Sequence, residues 1–118
     1  MKFDLEKEGL ETILQPWQAE VMRAVWETGD EIDSRTAYRH LKRRGTPMSR
    51  ASVISFLNRM VREGFLEYRE VTDKGGHKGL YRPSERAADE EGFRRTMAER
   101  IMRKVLEEMA VNPRRGGG

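Results

Sequence analysis

Apolar residues recur along this chain with two different periods, and the change from one to the other falls at Gly64. Before it, Trp17, Val21, Met22, Val25 and Trp26 repeat at three- and four-residue spacing. With Pro16 at the first helical position, this predicts an amphipathic helix that stops at Thr28-Gly29-Asp30. A second helix is predicted behind Asp33 or Ser34 as cap, with Ala37, Tyr38 and Leu41 inward and a stop at Gly45. Thr46-Pro47-Met48 reads as a turn. Ser49 then caps a third helix to about Glu63, whose core face is Val53, Phe56, Leu57, Met60 and Val61. Ile32, between the first two helices, is a candidate for a very short strand.

After Gly64 the period becomes two. Phe65–Val71 reads as one strand and Leu80-Tyr81-Arg82 as its partner, with Thr72–Gly79 as a glycine-rich hairpin loop. Pro83 ends the hairpin, and Ser84 is the expected cap of a last helix reaching about Val111. Its apolar residues are Phe93, Met97, Ile101, Met102, Val105, Leu106 and Met109. Residues 1–13 read either as a short helix or as a flexible lead-in, and 112–118 as a disordered tail. The expected division is therefore a domain over 14–83 and an appended helix over 84–111.

Charge changes this picture most. From Ser34 to Arg62 there are eight Lys or Arg residues and no Asp or Glu, so the rest of the chain holds 15 basic against 20 acidic residues. The net charge of +3 hides that asymmetry. A one-signed field on a helix pair attracts a polyanion. Hydrophobic and charged residues each make up 36% of 118 residues, so the core is small and a second copy is expected to bury what remains. Cysteine is absent, which removes disulfides, thiolate metal sites and a cysteine nucleophile. No apolar run reaches membrane-spanning length and the acidic N-terminus is no signal peptide, so a cytoplasmic protein without membrane contact is expected.

Helix, helix, turn, helix and a hairpin with a basic tip is the order of a winged helix-turn-helix, a mainly α fold with a small β-hairpin wing. In that motif the third helix enters the major groove of duplex DNA and the wing follows the backbone or minor groove. With Val53, Leu57, Met60 and Val61 inward, Ala51, Ser55, Asn58 and Arg62 lie opposite, with Ser52, Ile54 and Arg59 on the flanks. The expected base readers are Ala51, Ser52, Ile54, Ser55 and Asn58. Asn58 can pair with adenine through both ends of its amide, and Ala51 or Ile54 can meet a thymine methyl. Arg35, Arg39, Arg50, Arg59 and Arg62 suit phosphates, with Lys74, His77 and Lys78 as wing contacts. The seven apolar residues of the last helix are the expected homodimer interface.

The stretch from Leu14 to Met109 resembles the penicillinase-repressor family of winged-helix transcription factors, the group that includes BlaI, MecI and CopY. The resemblance is carried by Gln18-Ala19-Glu20-Val21-Met22 with Val25-Trp26, by Ser49-Arg50-Ala51-Ser52-Val53, and by Leu57-Asn58-Arg59-Met60-Val61 leading into Glu63-Gly64-Phe65-Leu66. Tyr81 in the returning wing strand also fits. The resemblance implies a homodimeric repressor with an N-terminal DNA-binding domain and a C-terminal dimerisation helix. Ile54 departs from the basic or polar residue that several relatives carry there. The cysteine-rich motif of the CopY branch is missing, and copper sensing with it.

Other chemistry finds no support. His40 and His77 lie on different elements, so no metal pair is expected, and His40 is expected on a helix surface beside the basic patch. Gly75-Gly76-His77-Lys78-Gly79 lacks the spacing and the following helix of a phosphate loop. The acidic Asp89-Glu90-Glu91 suits the start of the last helix. Nothing resembles a nucleophile with its base, so neither enzyme activity nor a cofactor is expected. The competing reading is a winged helix used for protein–protein contact, but such a surface more often exposes a large apolar patch. Ile54 is the one larger apolar residue outside the core face here.

Overall fold

The computed structural model describes residues 13–111. The expectations for residues 1–12 and for the 112–118 tail lie outside that range. The elements run α1 (Pro16–Thr28), α2 (Ser34–Arg43), α3 (Arg50–Arg62), β1 (Leu66–Asp73), β2 (Gly76–Pro83), a 3-10 turn (Glu85–Ala87) and α4 (Glu90–Val111).

The helix ends follow their local chemistry. Gln15 and Gln18 cap α1 reciprocally, and the Gln15 backbone N–H donates to Gln18 Oε1 at 3.1 Å. Asp33 Oδ1 accepts from the Thr36 N–H at 2.7 Å, which settles the choice of cap for α2. Ser49 Oγ accepts from the Ser52 N–H at 3.1 Å at the start of α3. Gly64, at φ 85°, reverses the chain after α3, a conformation that costs a residue with a Cβ about 1–2 kcal/mol.

The hairpin is longer than its side chains suggest. β1 and β2 pair antiparallel from Leu66↔Pro83 to Asp73↔Gly76, so only Lys74 and Gly75 form the turn. The expected loop over Thr72–Gly79 is thus mostly strand. Glycines give no side-chain alternation to read, but ladder pairing needs only their backbone groups. Asp73 Oδ1 accepts from the Gly75 N–H at 2.8 Å and shapes the turn. Tyr68 lies across Gly79 so closely that a Cβ there would sit 2.5 Å from its ring. Ile32 does form a one-residue strand: it and Tyr81 exchange N–H···O bonds of 2.9 Å each way.

The core joins Ala19, Val21, Met22 and Val25 of α1 to Ala37 and Leu41 of α2 and to Val53, Phe56, Leu57 and Met60 of α3. It does not stop at residue 83. Ala87, Phe93 and Met97 are equally buried in it. The Phe93 ring lies 4.6 Å from that of Phe65 and 5.9 Å from that of Trp26, while Trp26 Nε1 donates to the Ala87 carbonyl at 2.8 Å. Ser84 does not cap the long helix. Its hydroxyl donates to the Gly64 carbonyl at 2.7 Å, and Asp89 Oδ1 takes over the cap by accepting from the Gly92 N–H at 2.8 Å.

Candidate nucleic-acid interface

The exposed face of α3 is the one its period predicts. Ala51, Ser55, Asn58 and Arg62 are exposed, whereas Ser52, Ile54 and Arg59 are half-buried at its edges. No carboxylate stands on α3 itself. Along one edge, Trp17 and Gln18 of α1 join Ala51, Ser52, Ser55, Arg59 and Arg62 around a shallow groove of about 370 Å³. Trp17 stands at this rim because its ring meets Phe56 edge-on at 5.7 Å. Its place in the apolar stripe of α1 gives no hint that it also borders the polar face of α3.

Along the other edge, Arg50 of α3 and Arg35 of α2 face the wing across a second cleft, lined also by Asp33, His77 and Lys78. Among the described residues, Arg35, Arg39, Arg50 and Arg62 have no carboxylate within ion-pair distance, and neither does Lys74 at the wing tip. A guanidinium without an internal partner is available to an external anion.

Other expected contacts are already engaged. Arg59 Nε donates to Glu63 Oε2 at 2.8 Å, so it reaches an outside phosphate only by leaving that carboxylate. Lys78 Nζ stands 3.2 Å from Asp33 Oδ2, and His77 Nδ1 stands 3.2 Å from Glu70 Oε1. Burial alone would raise the Asp33 carboxyl, but the Thr36 and Lys78 hydrogen bonds and the Lys78 charge hold it below its usual range. Asp33 therefore caps α2 and ties down the wing at once. Beside it, Glu31 accepts from Arg69 Nη2 at 2.6 Å. Residues 31–33 thus hold the hairpin against the helices by an ion pair, a backbone bridge and a second ion pair.

Asn58 has a partner that spacing could not reveal. The Tyr81 hydroxyl donates to Asn58 Oδ1 at 2.8 Å, from 23 positions along the chain. His40 also departs from expectation. Its side chain is only 12% exposed, because α2 packs on α1 there and brings Nε2 to 3.1 Å from Glu20 Oε2. Glu20 accepts from Arg23 Nη1 at 2.9 Å and has Arg44 Nε at 3.4 Å. Burial would raise its carboxyl, yet the His40 and Arg23 hydrogen bonds and the Arg23 and Arg44 charges together lower it. The basic window, free of acids in sequence, thus receives two from outside, Glu20 and Glu63.

The expected dimer residues divide into two sets. Phe93 and Met97 are 0% and 2% exposed within a single chain, and Ile101 packs against the same core. Phe93 and Met97 are therefore core residues with no surface left for an interface, while Ile101 is half-buried at the edge of that core. Met102, Val105, Leu106 and Met109 are 49–63% exposed. Among the described residues no three His, Asp or Glu side chains converge as a metal site, and no helix is long and apolar enough to cross a membrane.

Residues 14–112 match the family model described as penicillinase repressor. No curated protein matches the chain. Several solved structures share its fold. A PadR family transcription regulator from Clostridium difficile is 11% identical with a TM-score of 0.55, covering 80% of this chain and 97% of its own. RosR from H. salinarum is 16% identical with a TM-score of 0.53, over 86% of this chain and 98% of its own. A PadR family transcriptional regulator from Eggerthella lenta is 16% identical with a TM-score of 0.51, over 80% of each chain. At such identities the likeness is one of fold alone.

Proposed function

The chain belongs to the penicillinase repressor family, and from that premise we propose that it is a sequence-specific regulator of transcription that binds double-stranded DNA, a homodimeric repressor acting at a near-palindromic operator. One observation carries the reading. The exposed face of α3 is narrow, polar and free of carboxylates, and the arginines that border it at positions 35, 50 and 62 have no internal anion among the described residues. Inserted in the major groove, such a face places Ser55 and Asn58 at base edges with Ala51 beside them, while Arg35, Arg39, Arg50 and Arg62 meet phosphates. Ser52 and Ile54 approach from the half-buried flanks. Arg59, His77 and Lys78 contribute once their carboxylate partners release them, and Lys74 contributes directly.

The dimer is supported by the second half of α4. Ala98, Met102, Val105 and Met109 follow one another at steps of four, three and four residues, the spacing of a two-helix seam, with Leu106 beside it. Two copies joined there present two α3 helices to half-sites about one turn, or ~34 Å, apart. The domain division shifts accordingly. Phe93, Met97 and Ile101 complete the DNA-binding unit, and the exposed face from Ala98 onward pairs the copies.

Selection of bound fragments from random duplexes tests the reading. The expected outcome is a two-fold-related sequence bound with a log–log salt slope of about −7 to −9, for roughly 4–5 phosphates neutralised per subunit. Binding that ignores salt, or no selected sequence, favours protein contact instead.

A further inference from the structure

The Tyr81–Asn58 hydrogen bond has a consequence for what α3 can read. Asn58 is the one amide on the exposed face of α3, and an amide is two-ended: Oδ1 accepts, Nδ2 donates. Which end faces a base decides which bases are accepted. In most exposed asparagines that choice is open, since half a turn about the last side-chain bond exchanges the ends.

Here it is closed. Tyr81 is 5% exposed, with its ring 5.1 Å from that of Tyr68. Its backbone is held on both sides by the Ile32 bridge at 2.9 Å. The hydroxyl therefore has a fixed position, and it donates to Asn58 Oδ1 at 2.8 Å. Burial, with a smaller contribution from Tyr68, pushes the Tyr81 phenol above its ordinary range. The hydroxyl keeps its proton at neutral pH and remains a donor. A phenol donates more strongly than it accepts, which favours Oδ1 over Nδ2 as its partner. Among the described residues Asn58 Nδ2 makes no hydrogen bond, so the free end is the donor end.

We infer that Tyr81 is a specificity-positioning residue: by keeping Oδ1 turned toward β2 it presents the Nδ2 end of Asn58 to the groove, which selects a base offering an acceptor there and disfavours cytosine. Guanine presents N7 and O6, adenine N7 and thymine O4, whereas cytosine presents only its N4 donor. The adenine pairing through both amide ends gives way to a one-ended contact. This inference rests on the DNA-binding reading above. It goes further by assigning a role to a residue on the wing strand, behind the face that meets DNA.

The test starts from the duplex selected by the intact protein, with each base pair varied in turn. Asn58→Ala identifies the pair that Asn58 reads, as the one whose discrimination disappears. At that pair the intact protein should disfavour cytosine by about tenfold against the best base. Tyr81→Phe keeps the ring and its packing but frees the amide to turn. Its penalty for cytosine should fall to about threefold or less, with preferences at other pairs and the salt slope unchanged. Asn58→Asp, on the exposed face of α3, still accepts from Tyr81 but has no donor, and should turn the preference toward cytosine. A Tyr81→Phe protein with undiminished discrimination, a native preference for cytosine, or an Asn58→Ala protein that loses no base pair would each overturn the inference and leave DNA binding standing. Failure of the intact protein to select any duplex would instead remove the DNA-binding reading itself.

Discussion

Arg50 and Arg62 stand at opposite ends of α3, and neither has a carboxylate within ion-pair distance among the described residues. Replacing either by Ala should weaken binding to all duplexes alike and lower the salt slope by about 1 for each phosphate no longer neutralised, as titrations at several salt concentrations will measure. Arg59→Ala should do less, because Glu63 already neutralises that charge. Glu20 makes a different point. Its carboxyl is lowered from 4.5, so its bonds to His40, Arg23 and Arg44 stabilise the fold above that range and are lost as pH falls through the lower folded value. Glu20→Gln should cost about 1 kcal/mol at pH 7, and the difference should close as the pH falls below 4.5, measured by urea denaturation across pH. A pH-independent difference would mean that packing, and not charge, carries the effect.

At the scale of elements, the position of α3 depends on its two ends. Ser49 Oγ satisfies an otherwise unpaired N–H of the first turn, and Gly64 turns the chain back so that Phe65 enters the core. Ser49→Ala should destabilise the protein by about 1 kcal/mol in denaturant titration. A change below about 0.3 kcal/mol would show that water caps the helix equally well. The wing depends on residues 31–33. Asp33→Ala removes both the α2 cap and the anchor of Lys78. It should cost about 1 kcal/mol, yet it frees a cation for phosphate, so non-specific DNA affinity should hold or rise while stability falls. A fall in both together would count against an anchored wing.

For the whole molecule, α4 divides into a buried half and an exposed half. Its first half completes the core through Phe93 and Met97, and its second half, beyond Ile101, presents Met102, Val105, Leu106 and Met109 outward. Leu106→Glu should therefore give a folded monomer in sedimentation, with a melting temperature that no longer depends on protein concentration and much weaker operator binding. A chain ending after Ile101 should also be a folded monomer. One ending near Ser84 should not fold, because it lacks Ala87, Phe93 and Met97. A Leu106→Glu protein that stays dimeric would place the interface elsewhere.

Sequence alone determined the order of the elements, the first three helices and the exposed face of α3. Those features are periodic and local: a 3.6-residue repeat, a cap three residues ahead of its N–H, a glycine where φ turns positive. Ala51, Ser55, Asn58 and Arg62 could be placed on that face by angle alone, because Val53, Phe56, Leu57 and Met60 define its opposite. The tertiary structure decided which of those groups are free. Glu63, just past the end of α3, engages Arg59 locally, but Glu20 reaches His40 from another helix, Asp33 reaches Lys78 from the start of α2, and Tyr81 reaches Asn58 from β2. No spacing rule encodes such pairs, since they depend on how the helices and the wing dock. The division of α4 has the same origin. Its seven apolar residues are alike in sequence, and only packing against the rest of the chain separates buried Phe93 and Met97 from exposed Met102, Val105, Leu106 and Met109. Which polar groups are engaged and which apolar residues stay exposed are thus written in long-range contacts, whereas local periodicity gives the helices and their faces.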